Sequence, residues 1–219
     1  MRNYIKIFIY LYVFIGLNLC HAGSYEDFFV AVKRDDAQTI QSLLQRGFDA
    51  NTPSPAGQSA LYLALVEPSL NAARALIDWP KTKVETRNAV DESPLMMAAL
   101  NGHLEAAQKL IARDADVNKP GWAPLHYAAT HGHIAIMQLL LDNHAYVDAE
   151  SPNKTTPLMM AASYGTVEAV KLLLDAGADA SLRNAQGLSA IDFAQRASRK
   201  DAAELIAGAV RGLQPKGRW

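Results

Sequence analysis

The sequence predicts an all-α solenoid: about six helix-turn-helix units stacked side by side and linked by short β-hairpin fingers. Three observations predict it. A short line of residues recurs as Ser93-Pro94-Leu95-Met96-Met97-Ala98-Ala99, Ala123-Pro124-Leu125-His126-Tyr127-Ala128-Ala129 and Thr156-Pro157-Leu158-Met159-Met160-Ala161-Ala162. Weaker copies are Ser59-Ala60-Leu61-Tyr62-Leu63-Ala64 and Ser189-Ala190-Ile191-Asp192-Phe193-Ala194. The shared apolar position falls at 61, 95, 125, 158 and 191, so the spacings are 34, 30, 33 and 33 residues. Each of the three strong copies is followed by a small break and a second apolar run: Ala106 to Ile111, Ile136 to Leu141 and Ala169 to Leu174. A period of this length marks stacked units, none of which can bury its apolar face alone.

Each element has a local cause. Ser or Thr before Pro supplies an N-cap oxygen, and Pro suits the first helical position because its missing N–H would have no partner there. The Ala-Ala pair lets neighbouring helices approach closely. Gly102, Gly132 and Gly165 end the first helix. The Leu-rich run buries the second, and Gly177 can take the left-handed conformation that stops it. The first unit runs from Tyr25 to about Asn51, with Phe28 in the leucine position, and the last from about Leu188 to Val210.

After each second run come Asp114-Ala115-Asp116-Val117-Asn118, His144-Ala145-Tyr146-Val147-Asp148 and Gly177-Ala178-Asp179-Ala180-Ser181. With these, the pattern resembles the ankyrin repeat over nearly everything after residue 23. The resemblance implies a concave face, made by finger tips and the outer side of each first helix, that binds other proteins. Carried over by position, that face comprises Gln58, Val66 and Glu67, then Val90, Glu92, Leu100 and Asn101. It continues with Pro120, Trp122, Thr130 and His131, then Pro152, Asn153, Thr155, Ser163 and Tyr164, and ends with Gln186, Leu188 and Arg196. An exposed Trp beside a Tyr is the composition of an interface hot spot. The alternative for Trp122 is a ring folded back over its own turn.

Three departures stand out. The finger between Asn118 and Ala123 is three residues shorter than the others, so Lys119-Pro120-Gly121-Trp122 must turn tightly and leave a notch. Asp78-Trp79-Pro80 adds a residue after the second helix of the second unit. Asp114 and His144 occupy the place that Gly47 and Gly177 fill elsewhere, where a side chain at positive φ costs about 1 kcal/mol. Only the notch suggests function.

The first 22 residues read as a secretory signal. Arg2 and Lys6 precede an apolar run from Ile7 to Leu19, which is too short to span a membrane. Cleavage is expected after Ala22. A lipid-attached Cys20 is disfavoured by Leu19 before it, and an uncleaved anchor is the remaining alternative. The expected layout is therefore 1–22 signal, 23–210 repeat domain and 211–219 basic tail. The full chain carries 21 basic and 22 acidic residues. Removing Arg2 and Lys6 leaves a charge of −3 and no cysteine, which suits an oxidising compartment.

Catalytic chemistry finds no support. A single cysteine excludes a disulfide framework and a cysteine-based zinc site. Near-neutral charge gives no support for nucleic-acid binding. His126, His131 and His133 crowd one unit, yet a metal needs three or four converging ligands, and these point apart. Met96-Met97 and Met159-Met160 could hold Cu(I), but their identical repeat positions favour core packing. No phosphate loop or nucleophile elbow appears, and no cofactor is expected.

The expected function is a non-enzymatic interaction module, exported to the periplasm, monomeric, free of the membrane after cleavage and binding a partner protein of unknown identity. Small exported bacterial ankyrin proteins are similar to a family associated with periplasmic catalase and peroxide resistance, which implies an accessory role in that defence. The alternative is a secreted effector that binds a host protein.

Overall fold

A computed structural model describes residues 23–67 and 70–213. The expected signal at 1–22 and the end of the basic tail lie outside the described residues. Helices α1 (23–33), α2 (Ala37–Gln45), α3 (Ala60–Val66) and α4 (Asn71–Asp78) form a compact N-terminal block that ends at Lys83. The C-terminal block begins at Val84 and holds four helix pairs. These are α5 (Pro94–Asn101) with α6 (Leu104–Ile111) and α7 (Pro124–His131) with α8 (Ile134–Asp142). They continue as α9 (Pro157–Ser163) with α10 (Val167–Asp175) and α11 (Ala190–Arg196) with α12 (Lys200–Leu213). Helix α12 carries through 211–213, which the sequence had placed in the tail.

In the C-terminal block the first helices α5, α7, α9 and α11 pack in chain order, and α6, α8, α10 and α12 form a second layer behind them. Leu95, Leu125 and Leu158 are wholly buried between the layers, as are Leu110, Leu140, Leu173 and Ile206. Ile191 holds the same position as those first leucines but is only half-buried, because no described element packs beyond it. No described helix is long and apolar enough to cross a membrane.

The helix starts follow the predicted chemistry. Ser59, Ser93, Thr156 and Ser189 accept the N–H three residues on, and Pro94, Pro124 and Pro157 open their helices. Ala123 has no side-chain oxygen and makes no such cap. Gly102 and Gly132 close α5 and α7 in the left-handed conformation. Asp114 and His144 do take positive φ, 62° and 64°, beside Gly47 and Gly177 at 96° and 92°. At the extra residue, Trp79 is extended and α4 exits without a left-handed cap.

The fingers differ in degree from the expected β-hairpins. Among the described residues the only bridge is an isolated antiparallel one between Arg183 and Ser189. Each full finger is instead a single turn. Ser54, Asn88, Ser151 and Asn184 donate a backbone N–H to the carbonyl four residues on, at 2.8, 3.1, 3.0 and 2.9 Å. Gly57, Asp91, Lys154 and Gly187 sit at the left-handed position of each turn. Two residues per arm are too few for a strand.

Side chains at one loop position stitch neighbouring repeats. In the N-terminal block Asn51 donates to the Lys81 carbonyl and accepts from the Lys83 N–H. In the C-terminal block Glu85 accepts from the Asp116 N–H, Asn118 bonds His144 and Tyr146, and Asp148 accepts from the Asp179 N–H.

Candidate protein-binding groove

The outer faces of α5, α7 and α9 enclose a groove of about 250 Å³, lined by Leu100, Trp122, His126, Tyr127, Thr130 and Met160. Three of the six were expected from repeat position alone: Leu100, Trp122 and Thr130. The other three were not. Tyr127 and Met160 share one position in the repeating line, immediately after His126 and Met159, and a 3.6-residue period turns that position toward the finger side.

The methionine assignment needs correction here. Met96, Met97 and Met159 are core, 0, 4 and 1% exposed, as the repeat predicts. Met160 is half-buried and faces the groove. Leu63, Tyr127 and Phe193 hold the same repeat position and are half-buried as well, so Met97 is the exception in this row.

Trp122 is packed on one side and open on the other. Its ring packs edge-on against His126 at 5.2 Å and against Tyr127 at 6.5 Å, yet it is half-exposed and forms a wall of the groove. The Tyr127 hydroxyl donates to Glu92 Oε1 at 3.3 Å, while Asn88 Nδ2 donates to Oε2 at 2.9 Å. These bonds fix the Tyr127 ring. The Thr130 hydroxyl turns back to the His126 carbonyl at 2.8 Å. A groove whose Tyr127, His126 and Thr130 polar atoms are engaged within the protein and whose walls are largely apolar suits an apolar side chain from a partner.

His126 is the floor. It is wholly buried, accepts from the Ala123 N–H through Nδ1 at 3.1 Å and donates from Nε2 to the Thr155 carbonyl at 2.9 Å. Burial pushes its pKa below the ordinary histidine value. Both nitrogens are therefore occupied, and the ring stays neutral. His133 turns elsewhere, with Nε2 against the Leu100 carbonyl at 2.9 Å, and the His131 ring lies 5.8 Å from it. Among the described residues no group of three or more His, Cys, Asp or Glu side chains converges on a metal position.

The remaining expected residues of the C-terminal block lie at helix ends and on fingers, and one of them, Thr155, is buried. Asn101, His131 and Tyr164 are exposed at the ends of α5, α7 and α9, with Tyr164 65% exposed. Arg196 is exposed at the end of α11 and Asn153 at a finger tip. Glu92 lies half-buried at the finger base. Gln58 and Glu67 belong to the N-terminal block, where Gln58 closes the first finger and Glu67 follows α3 into solvent.

Known proteins share this architecture. A family model described as ankyrin repeats in three copies matches residues 28–120, 81–151 and 125–214. The nuclear factor NF-kappa-B p105 subunit of Gallus gallus is 28% identical over 73% of the chain, an alignment that covers 17% of that protein. The ankyrin repeat and SAM domain-containing protein 6 of Mus musculus is 34% identical over 44% of the chain and 11% of its own length. The chain thus spans a small part of these relatives. A chain from the structure of the Bd0816 predatory endopeptidase of Bdellovibrio bacteriovorus in complex with the immunity protein Bd3460 superposes with a TM-score of 0.73. It is 25% identical, over 83% of this chain and 97% of that one.

Proposed function

Because the chain belongs to the ankyrin-repeat family, we propose that it is a non-enzymatic module, exported through residues 1–22, that holds a partner protein on the groove around Trp122. The observation that carries the reading is the groove itself: an aromatic pair, a leucine and a methionine kept open beside a shortened finger. A side chain inserted there would shed water from four apolar walls at once, which is how a few residues dominate an interface. The superposed bacterial chain also comes from a complex of two proteins.

The client is an exported enzyme on this reading. The resemblance to small exported ankyrin proteins points to a periplasmic catalase, with the chain as a monomeric accessory to peroxide defence. The bacterial complex, which contains an endopeptidase, supports an enzyme as the class of partner.

Photo-cross-linking in the native host tests this. A photoreactive residue in place of Thr130 should trap one protein, and the same residue in place of Lys171, exposed on α10, should not. The trapped species should come from an osmotic-shock fraction. Equal trapping from both positions would place binding elsewhere, and recovery from the culture medium would replace the periplasmic role with action outside the cell.

A further inference from the structure

We propose that Lys119 is the positioning residue of the groove: its buried ammonium stands in for the missing finger and fixes Trp122 against His126 and Tyr127. The consequence for binding rests on the protein-binding reading above; the geometry does not.

The full fingers hold their own shape. Besides the backbone bond, the side chains of Ser54, Asn88, Ser151 and Asn184 each accept the N–H of the residue four on. Three residues are gone from the finger at 118–122, and among the described residues no backbone hydrogen bond closes that turn. A turn without internal bonds stays fixed only if something else ties it down.

Lys119 does so. Its side chain is 4% exposed, which is rare for lysine, and a buried ammonium is tolerated only when paired and hydrogen-bonded. Here it donates to the Asp91 carboxylate of the preceding finger and, at 3.1 Å, to the Pro120 carbonyl of its own turn. Arg87, itself paired with Glu85 and Asp116, lies 3.9 Å from the other Asp91 oxygen. On the far side the turn lies against the next finger, where a Cβ built at Gly121 would sit 3.7 Å from the Pro152 ring. Trp122 follows directly. An aliphatic residue could fill the same space, but it has no donor for the carboxylate or the carbonyl, and the ammonium also balances the Asp91 charge.

The three tryptophans are Trp79, Trp122 and Trp219. With Trp79→Phe and Trp219→Phe as background, fluorescence reads Trp122 alone and needs no partner. Lys119→Met should move the emission to longer wavelength and raise acrylamide quenching, with the helical circular dichroism unchanged. Asp91→Gly, which suits the left-handed position that Gly57 and Gly187 hold in other fingers and removes the acceptor, should shift it in the same direction and carries the test should Lys119→Met fail to fold. Lys171→Met should change nothing. Unaltered emission and quenching in Asp91→Gly, or in a folded Lys119→Met, would overturn the proposal. A shift without any cross-linked partner at Thr130 would leave the positioning role standing and remove the binding one.

Discussion

His126 donates its Nε2–H to the carbonyl of Thr155 at 2.9 Å from a ring with no exposed surface. One neutral imidazole thereby joins the start of α7 to the finger before α9, and the same ring supports Trp122 from below.

That bond predicts a pH dependence. The folded-state pKa of His126 is held below its unfolded value by burial. Its contribution is full above about pH 6.5 and is lost as pH falls from there toward the folded pKa, because only the unfolded chain takes up the proton. His126→Met copies the residue at Met96 and Met159 and leaves the Thr155 carbonyl without this donor. Urea unfolding should show a loss of about 1–3 kcal/mol at pH 7.5 that narrows at pH 5.5. A difference independent of pH would refute the assignment of a neutral ring.

The start of α7 lacks the cap that its neighbours carry. Ala123 stands where Ser93 and Thr156 accept an N–H at 3.3 and 3.4 Å. Ala123→Ser should therefore stabilise the protein by about 1 kcal/mol, since the backbone is already extended there as at the other caps. A destabilised variant would mean that His126 leaves no room for the hydroxyl.

Two glycines should respond unequally to alanine. A Cβ at Gly165 would lie 2.3 Å from the Ala129 carbonyl oxygen and 2.9 Å from the Ala161 Cα, both backbone. Gly177, at φ 92°, has nothing within 4 Å. Gly165→Ala should cost about 3 kcal/mol or more through the clash, whereas Gly177→Ala should cost about 1 kcal/mol through backbone strain alone. Comparable midpoints for the two variants would contradict the close approach of α7 and α9.

The loop stitching contains one unfavourable member. Asn51 and Asn118 serve two positions of the ladder, but Asp148 serves another, and burial together with the nearby Asp179 raises its pKa. A carboxyl raised in the folded state disfavours folding at neutral pH, and the effect fades as pH falls through its folded pKa. Asp148→Asn keeps the acceptor for the Asp179 N–H, so it should gain roughly 0.5 kcal/mol at pH 7 and nothing near pH 3. A loss at pH 7 would show that the charge itself is needed.

The repeating line made most of this architecture legible. Leu95, Leu125 and Leu158 at near-equal spacing named the core, and Ser-Pro and Thr-Pro named the helix starts, because caps and burial are local chemistry. The left-handed Asp114 and His144 followed from alignment with glycines. The groove was only half legible. Leu100, Trp122 and Thr130 came from repeat position, but Met160 read as core like Met97, since two adjacent methionines in a short helix do not tell which one faces the groove. Lys119 looked like an ordinary turn residue. Its burial depends on Asp91, 28 residues away, and nothing in local spacing encodes that pair.

The most direct measurement is the affinity of the trapped partner for the wild-type protein and for Trp122→Ala, with stability checked in parallel. Trp122→Ala should lose at least about 2 kcal/mol, roughly 30-fold in Kd, with the fold intact. An affinity within about threefold of wild type would contradict it and move the binding face away from the groove.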